Sequence, residues 1–228
     1  MTVSGFELVK VWETDNSFYD WRVYEDKIFI NRPGTRIEDR QLVCGNQVLY
    51  SGRIDGFCVS EGKIFIQQGC WGDICKILRG EHELYTGPLN YWRVSGGKIF
   101  IQRGLAHEIV CGNQVLYSGP MNSWQVSEGK IYIGRGYCPI TISCGEQVLF
   151  SGWRCNCWNV SEGKIFIQQG SNRDPECQIL CGDRILYTGS LASWRVSDGK
   201  VYILIEEDVI STFYRLEKPI NPWAKPFG

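Results

Sequence analysis

Lys27, Lys63, Lys98, Lys130, Lys164 and Lys200 each follow a short turn motif, at the same point of a recurring segment. Six ammonium groups gathered at one mouth of a ring would attract anions, nucleic acid included. An acidic residue two positions earlier (Glu25, Glu61, Glu128, Glu162, Asp198) partly cancels the charge in five of the six units. Lysine also suits a strand leaving a solvated turn, where its stem covers apolar surface and its head stays wet. An anion ring and a solvated rim both fit the pattern.

Other candidates for chemistry are weaker. Eleven cysteines are present. Cys44, Cys111, Cys144 and Cys181 share one repeat position, as small apolar side chains of a strand would. Cys58, Cys70, Cys75, Cys138, Cys155, Cys157 and Cys177 follow no period. Neither "CNC" at Cys155–Cys157 nor "CWGDIC" at Cys70–Cys75 has the paired C-x-x-C spacing of a zinc site. The two histidines, His82 and His107, are expected in equivalent third-strand regions of neighbouring units. No phosphate-binding glycine loop, G-x-S-x-G or H-E-x-x-H is present. The expectation is therefore a non-enzymatic protein with no catalytic residues, metal or cofactor. A hydrolase gathering turn carboxylates such as Glu61, Glu128, Glu162 and Asp198 around a channel is the remaining catalytic reading.

These residues sit on a repeat. "SEGKIFIQQG" occurs word for word at Ser60–Gly69 and again at Ser161–Gly170. It belongs to a longer unit that begins at Trp21, Phe57, Trp92, Trp124, Trp158 and Trp194, spaced by 36, 35, 32, 34 and 36 residues. Such a period marks solenoids, propellers or arrays. Within a unit, "WRV" alternates in period two and "SGG" or "SEG" makes a tight turn. "KIFIQ" is apolar on both faces, and "EIVC" and "QVLYS" follow across a second turn. Four short strands per unit and no 3.6-residue periodicity predict an all-β chain nearly free of helix.

Four-stranded units repeated around a ring define a β-propeller, and the chain resembles that class. "WRVSDGK" at Trp194–Lys200 is similar to the "WSPDGK" turn of TolB-type propeller repeats, without its proline. The similarity covers about seven residues per unit and implies no function. Five units are complete, whereas the last holds three strands before the Pro-rich tail at 218–228. "FELVKVW" near the N-terminus supplies a single strand. The prediction is one domain over 1–228, a six-bladed propeller of four-stranded antiparallel blades, with residues 6–12 completing the last blade. That closure removes two open sheet edges. A stacked β-solenoid, the rival fold, would give the split unit no purpose. The repeated Trp reads as filler between blades rather than as a stacking platform for ligands.

The variable segments, between second and third strands and between blades, fall on one face of this ring. A rigid scaffold carrying variable loops is a common way to build a binding surface. Arg32, Trp71, Arg103, Arg135, Tyr137, Trp153 and Arg173 fall there and are hot-spot residue types. A protein partner on this face is the favoured function, and binding of nucleic acid or another polyanion by the lysines is the alternative. A formal charge of −1 gives no global pull toward nucleic acid or an anionic membrane. No apolar run reaches membrane-spanning length, and no secretory signal pattern opens the chain. With eleven cysteines, this favours a cytoplasmic, reducing setting; a monomer or weak oligomer is expected, though nothing in the pattern of residues sets the oligomeric state.

Overall fold

The inner hairpin of each repeat is set by its turn. In the third repeat Tyr91–Ser95 pairs with Lys98–Arg103, Ser95 lying opposite Lys98. Only Gly96 and Gly97 remain between them, with φ of 57° and 68°. Two successive positive φ values make a type I′ turn, whose twist matches that of the flanking strands. The other repeats place a carboxylate at the first position: φ is 46° at Glu25, 51° at Glu61, 52° at Glu128, 50° at Glu162 and 50° at Asp198. An L-residue held there costs about 1 kcal/mol, and Asn tolerates the region better than Glu. Glu128→Asn is expected to stabilise the protein by about 0.5–1 kcal/mol, read as a higher urea midpoint at unchanged slope. An unchanged or lower midpoint would mean that the turn is not strained.

The computed structural model describes residues 6–14, 18–69, 74–103, 107–136, 139–153, 155–207 and 210–217. Among them are six four-stranded sheets, and the one helical segment is a 3-10 turn at Ile37–Asp39. Five sheets run in sequence order; in blade three these strands are Tyr91–Ser95, Lys98–Arg103, Glu108–Cys111 and Gln114–Ser118. The inner strands are Asp20–Tyr24, Gly56–Ser60, Tyr91–Ser95, Ser123–Ser127, Cys157–Ser161 and Ser193–Ser197. Each packs beside its two neighbours in the series, and the sixth returns to the first. The chain is a six-bladed β-propeller.

The sixth blade is shared between the two ends of the chain. Its order is Glu7–Thr14, Ile210–Glu217, Lys200–Glu207 and Ser193–Ser197, so the N-terminal segment is the outer strand. Each of the other five outer strands pairs irregularly with the third strand of its blade, as between Ile109 and Val110 in blade three. The N-terminal strand carries the same β-bulge, between Lys10 and Trp12. A bulge reverses which face the following side chains occupy. Phe6 and Leu8 accordingly pack against the cluster between blades five and six, Val11 and Trp12 against that between six and one.

Six apolar clusters fill the six seams between blades. Trp21, Phe57, Trp92, Trp124, Trp158 and Trp194 are all buried in them. Each indole N–H also finds an acceptor in the preceding blade. Trp92, Trp124 and Trp194 donate to the Oε1 of Gln67, Gln102 and Gln168, at 2.7, 2.8 and 2.7 Å. These glutamines are the fifth residue of their second strands, where blades four and six have Gly134 and Leu204. There the acceptor moves to an inner-strand serine, Ser123 for Trp158 and Ser193 for Trp21. A Cβ on Gly134 would meet Ser123 Oγ at 2.5 Å and Trp158 Nε1 at 3.1 Å, so a larger residue there would displace this bond.

One seam lacks this bond. Phe57 has no N–H, and the residue facing it from blade one's equivalent position, Asn31, has a buried Oδ1 with no hydrogen-bond partner. A buried orphan acceptor costs about 1–3 kcal/mol. Asn31→Leu, copying blade six, is expected to raise stability by about 1 kcal/mol. A loss of stability in urea unfolding would show that Asn31 has a partner after all.

Candidate functional site

The rim at the inner turns is held together across blades. All six lysines are exposed. Lys63 lies 3.9 Å from Glu61 and Lys164 3.8 Å from Glu162, both within their own turns. Lys200 pairs with Asp26 of blade one at 2.9 Å. Among the described residues, Lys27, Lys98 and Lys130 have no ion pair. The Gly129 and Gly199 amides donate to Ser95 and Ser161 of the preceding blades, so the turns interlock. The carboxylates stay in these turns, and no three His, Cys, Asp or Glu side chains gather as a metal-ligand set among the described residues.

On the opposite face the arginines divide. Arg103 lies over the Tyr85 ring of the preceding blade, with its guanidinium carbon 6.0 Å from the ring centroid. Arg135 donates to the Tyr117 hydroxyl at 3.2 Å and to the Pro120 carbonyl at 3.3 Å. Both therefore brace a seam as well as bordering the loops. Arg32 is half-buried, with its Nε unsatisfied. Arg173 is exposed beside a groove of about 800 Å³ that includes Tyr19, Leu191 and Ile205 and reaches Asp20 and Arg195. Trp153, 71% exposed, borders a second groove of about 610 Å³ with Asn156, Gln169 and Asp174. Trp71 and Tyr137 lie outside the described residues, as do Cys70, Cys138 and the tail 218–228.

Large apolar side chains add to this face. Tyr19, Ile74 and Ile210 are 60%, 70% and 42% exposed at the loop ends of their blades. The histidines do not share a region, contrary to expectation. His82 begins an outer strand on the lysine side, whereas His107 precedes a third strand on the loop side. The cause is the third strand Ile74–Arg79, which ends before His82.

The channel holds a cluster that the repeat pattern conceals. Alternation puts the residue after each inner-strand aromatic on the opposite face from it. These residues are Arg22, Cys58, Arg93, Gln125, Asn159 and Arg195. Arg22 and Arg195 both donate to Asp20 Oδ1, at 2.6 and 3.3 Å. Arg93 donates through Nε to Gln125 at 3.1 Å and stacks on Tyr91, 4.3 Å from the ring centroid. Asp20, Arg22, Cys58 and Arg93 border one cavity of about 150 Å³. The guanidiniums meet solvent within the channel yet are enclosed by surrounding protein. That enclosure, followed by the charge of Arg22, brings the pKa of Arg93 down to about 9. Burial, then the charge of Arg22, likewise lowers Arg195. The Cys58 thiol is pushed up by burial despite Arg22 and Arg93, so it stays protonated near neutral pH.

The nine described cysteines are free, and Cys44, Cys111, Cys144 and Cys181 are half-buried at strand ends rather than fully enclosed. No helix among the described residues is long and apolar enough to cross a membrane. No family model matches the chain, and no curated protein matches it either.

Proposed function

We propose that this propeller is a non-enzymatic interaction module that takes up a protein partner on its variable-loop face. The observation that carries this reading is the exposure of Tyr19, Ile74, Trp153 and Ile210 on that one face, beside two open grooves. Exposed apolar and aromatic groups rimmed by polar residues are typical of association surfaces. The test is affinity capture from host extract with the unmodified protein and a Tyr19→Glu, Trp153→Glu variant of equal melting temperature. A partner retained by the first and lost by the second supports the reading. Equal retention by both would place the contact elsewhere.

Polyanion binding at the lysine rim is the second reading, favoured by Lys27, Lys98 and Lys130, which are exposed and without ion pairs among the described residues. It requires DNA or heparin binding that weakens steeply with salt, and a shallower salt slope on changing these three to Gln. A hydrolase in the channel would need free converging carboxylates, whereas the two that border the cavity are each engaged by arginines, Asp20 by Arg22 and Arg195 and Asp55 by Arg53 and Arg40.

A further inference from the structure

Arg22, Arg93 and Arg195 share the channel with one inner-strand carboxylate, Asp20, and that imbalance selects a ligand. Asp55 also borders the cavity, but Arg53 at 2.6 Å and Arg40 at 3.7 Å already engage it. Two positive charges are left over among the inner-strand side chains. We infer that the channel binds a small tetrahedral dianion, a phosphoryl group, between Arg93 and the Arg22–Asp20–Arg195 cluster.

Donor geometry supports the assignment. Arg22 and Arg195 converge on one oxygen of Asp20 and otherwise donate to the Trp21 and Trp194 carbonyls. A single oxygen cannot use both guanidinium forks, each of which can grip an oxyanion through two parallel bonds. Arg93 is held by Gln125 and Tyr91 through its Nε and its face. Its two terminal amino groups have no acceptor among the described residues. A guanidinium fixed in place with its donors free is preorganised for an anion, which then binds at little further ordering cost.

Size agrees with the charge. The cavity of about 150 Å³ has room for a phosphoryl group together with some of its water. Asp20 borders both this cavity and the loop-face groove, where Arg195 also lies. Enclosure by protein strengthens every charge–charge contact relative to the open lysine rim. The anion would also relieve the mutual repulsion of the three arginines.

The test is thermal unfolding of the full chain with inorganic phosphate at pH 8 or with sulfate, against sodium chloride and sodium formate at matched ionic strength. Both dianions are expected to raise the melting temperature by about 5 °C at a hundredfold excess over Kd, and the monoanions to leave it unchanged. Arg93→Gln should fold, since blade four carries Gln125 at that position, and should bind phosphate at least tenfold more weakly by calorimetry. Lys27, Lys98 and Lys130 changed to Gln should bind it as the unmodified protein does. Glycerol phosphate as strong as phosphate would identify an esterified ligand, and phosphate alone a free ion. Equal shifts from monoanions and dianions would overturn the inference, as would no shift at all. Full phosphate affinity in Arg93→Gln, or its loss in the lysine variant instead, would do the same.

Discussion

Removal of residues 1–13 is expected to destroy the cooperative unfolding of the whole ring, not merely to weaken one blade. The deletion strips the outer strand from Ile210–Glu217 and leaves that strand's hydrogen-bonding edge open to another chain. It also removes apolar contacts from two seams at once. Phe6 and Leu8 leave the seam to blade five, whereas Val11 and Trp12 leave the seam to blade one. Trp12 stacks on Phe213 at 5.5 Å, and Phe213 in turn meets the edge of Trp21 at 5.1 Å. The truncated chain should aggregate or melt over a broad range in calorimetry. Adding the 1–13 peptide in trans should restore a sharp transition by strand addition. A truncated protein that melts like the intact one would refute closure by the N-terminus.

The seam that the N-terminal strand completes is also an electrostatic one. Asp26, in the first inner turn, accepts hydrogen bonds from Lys200 and Tyr202 and lies 3.0 Å from Arg215, all in blade six. Tyr202 first, then Lys200, hold its carboxyl at about 2, below the ordinary aspartate value of 3.8. A carboxylate with a depressed pKa contributes stability above its unfolded value and loses it as pH falls through the folded one. The contribution is thus complete at neutral pH and drains away between about pH 4 and pH 2. Much of Asp26 is open to solvent, so salt screens this contribution, whereas the apolar contacts of Trp12 persist.

Blade number, strand order and closure were readable because each rests on a periodic signal. The aromatic at the head of each inner strand, the turn and the apolar second strand recur, and the split unit counts its own missing strand. What each face meets was less readable. Alternation separates Arg22 from Trp21, but only the ring shows that Arg22, Arg93 and Arg195 converge, because they come from units far apart in sequence. The inter-blade bond from indole to glutamine left a trace, the fifth residue of "KIFIQ". Its meaning depends on a partner in the following unit. Arg103 and Arg135 were legible as loop-bordering residues, whereas their contacts with the tyrosines of preceding blades depend on how adjacent blades pack. The lysines recur more faithfully than any other polar residue, yet recurrence does not separate a binding ring from a rim of interlocked turns.

Trp124→Ala is expected to cost on the order of 3–5 kcal/mol, the range for a large aromatic removed from a core. Trp124 is buried between blades three and four against Phe100, Ile109 and Ile133, with Tyr91 edge-on at 5.5 Å. Truncation opens a cavity in that seam and strips Gln102 Oε1 of its indole donor. At about 2–4 °C per kcal/mol for a chain of this size, the melting temperature should fall by about 10 °C or more. Trp124→Phe separates the two losses, since it keeps most of the ring and removes the N–H, as Phe57 does in blade two. Its cost should be about 2 kcal/mol, one hydrogen bond whose acceptor is only partly buried together with the small void left where the second ring stood. Trp153→Ala, at a 71% exposed position, should change stability by less than about 0.5 kcal/mol. The order of denaturation midpoints is therefore Trp153→Ala, Trp124→Phe and Trp124→Ala, from highest to lowest. Equal midpoints for the two alanine variants would mean that the repeated indoles are not what joins one blade to the next.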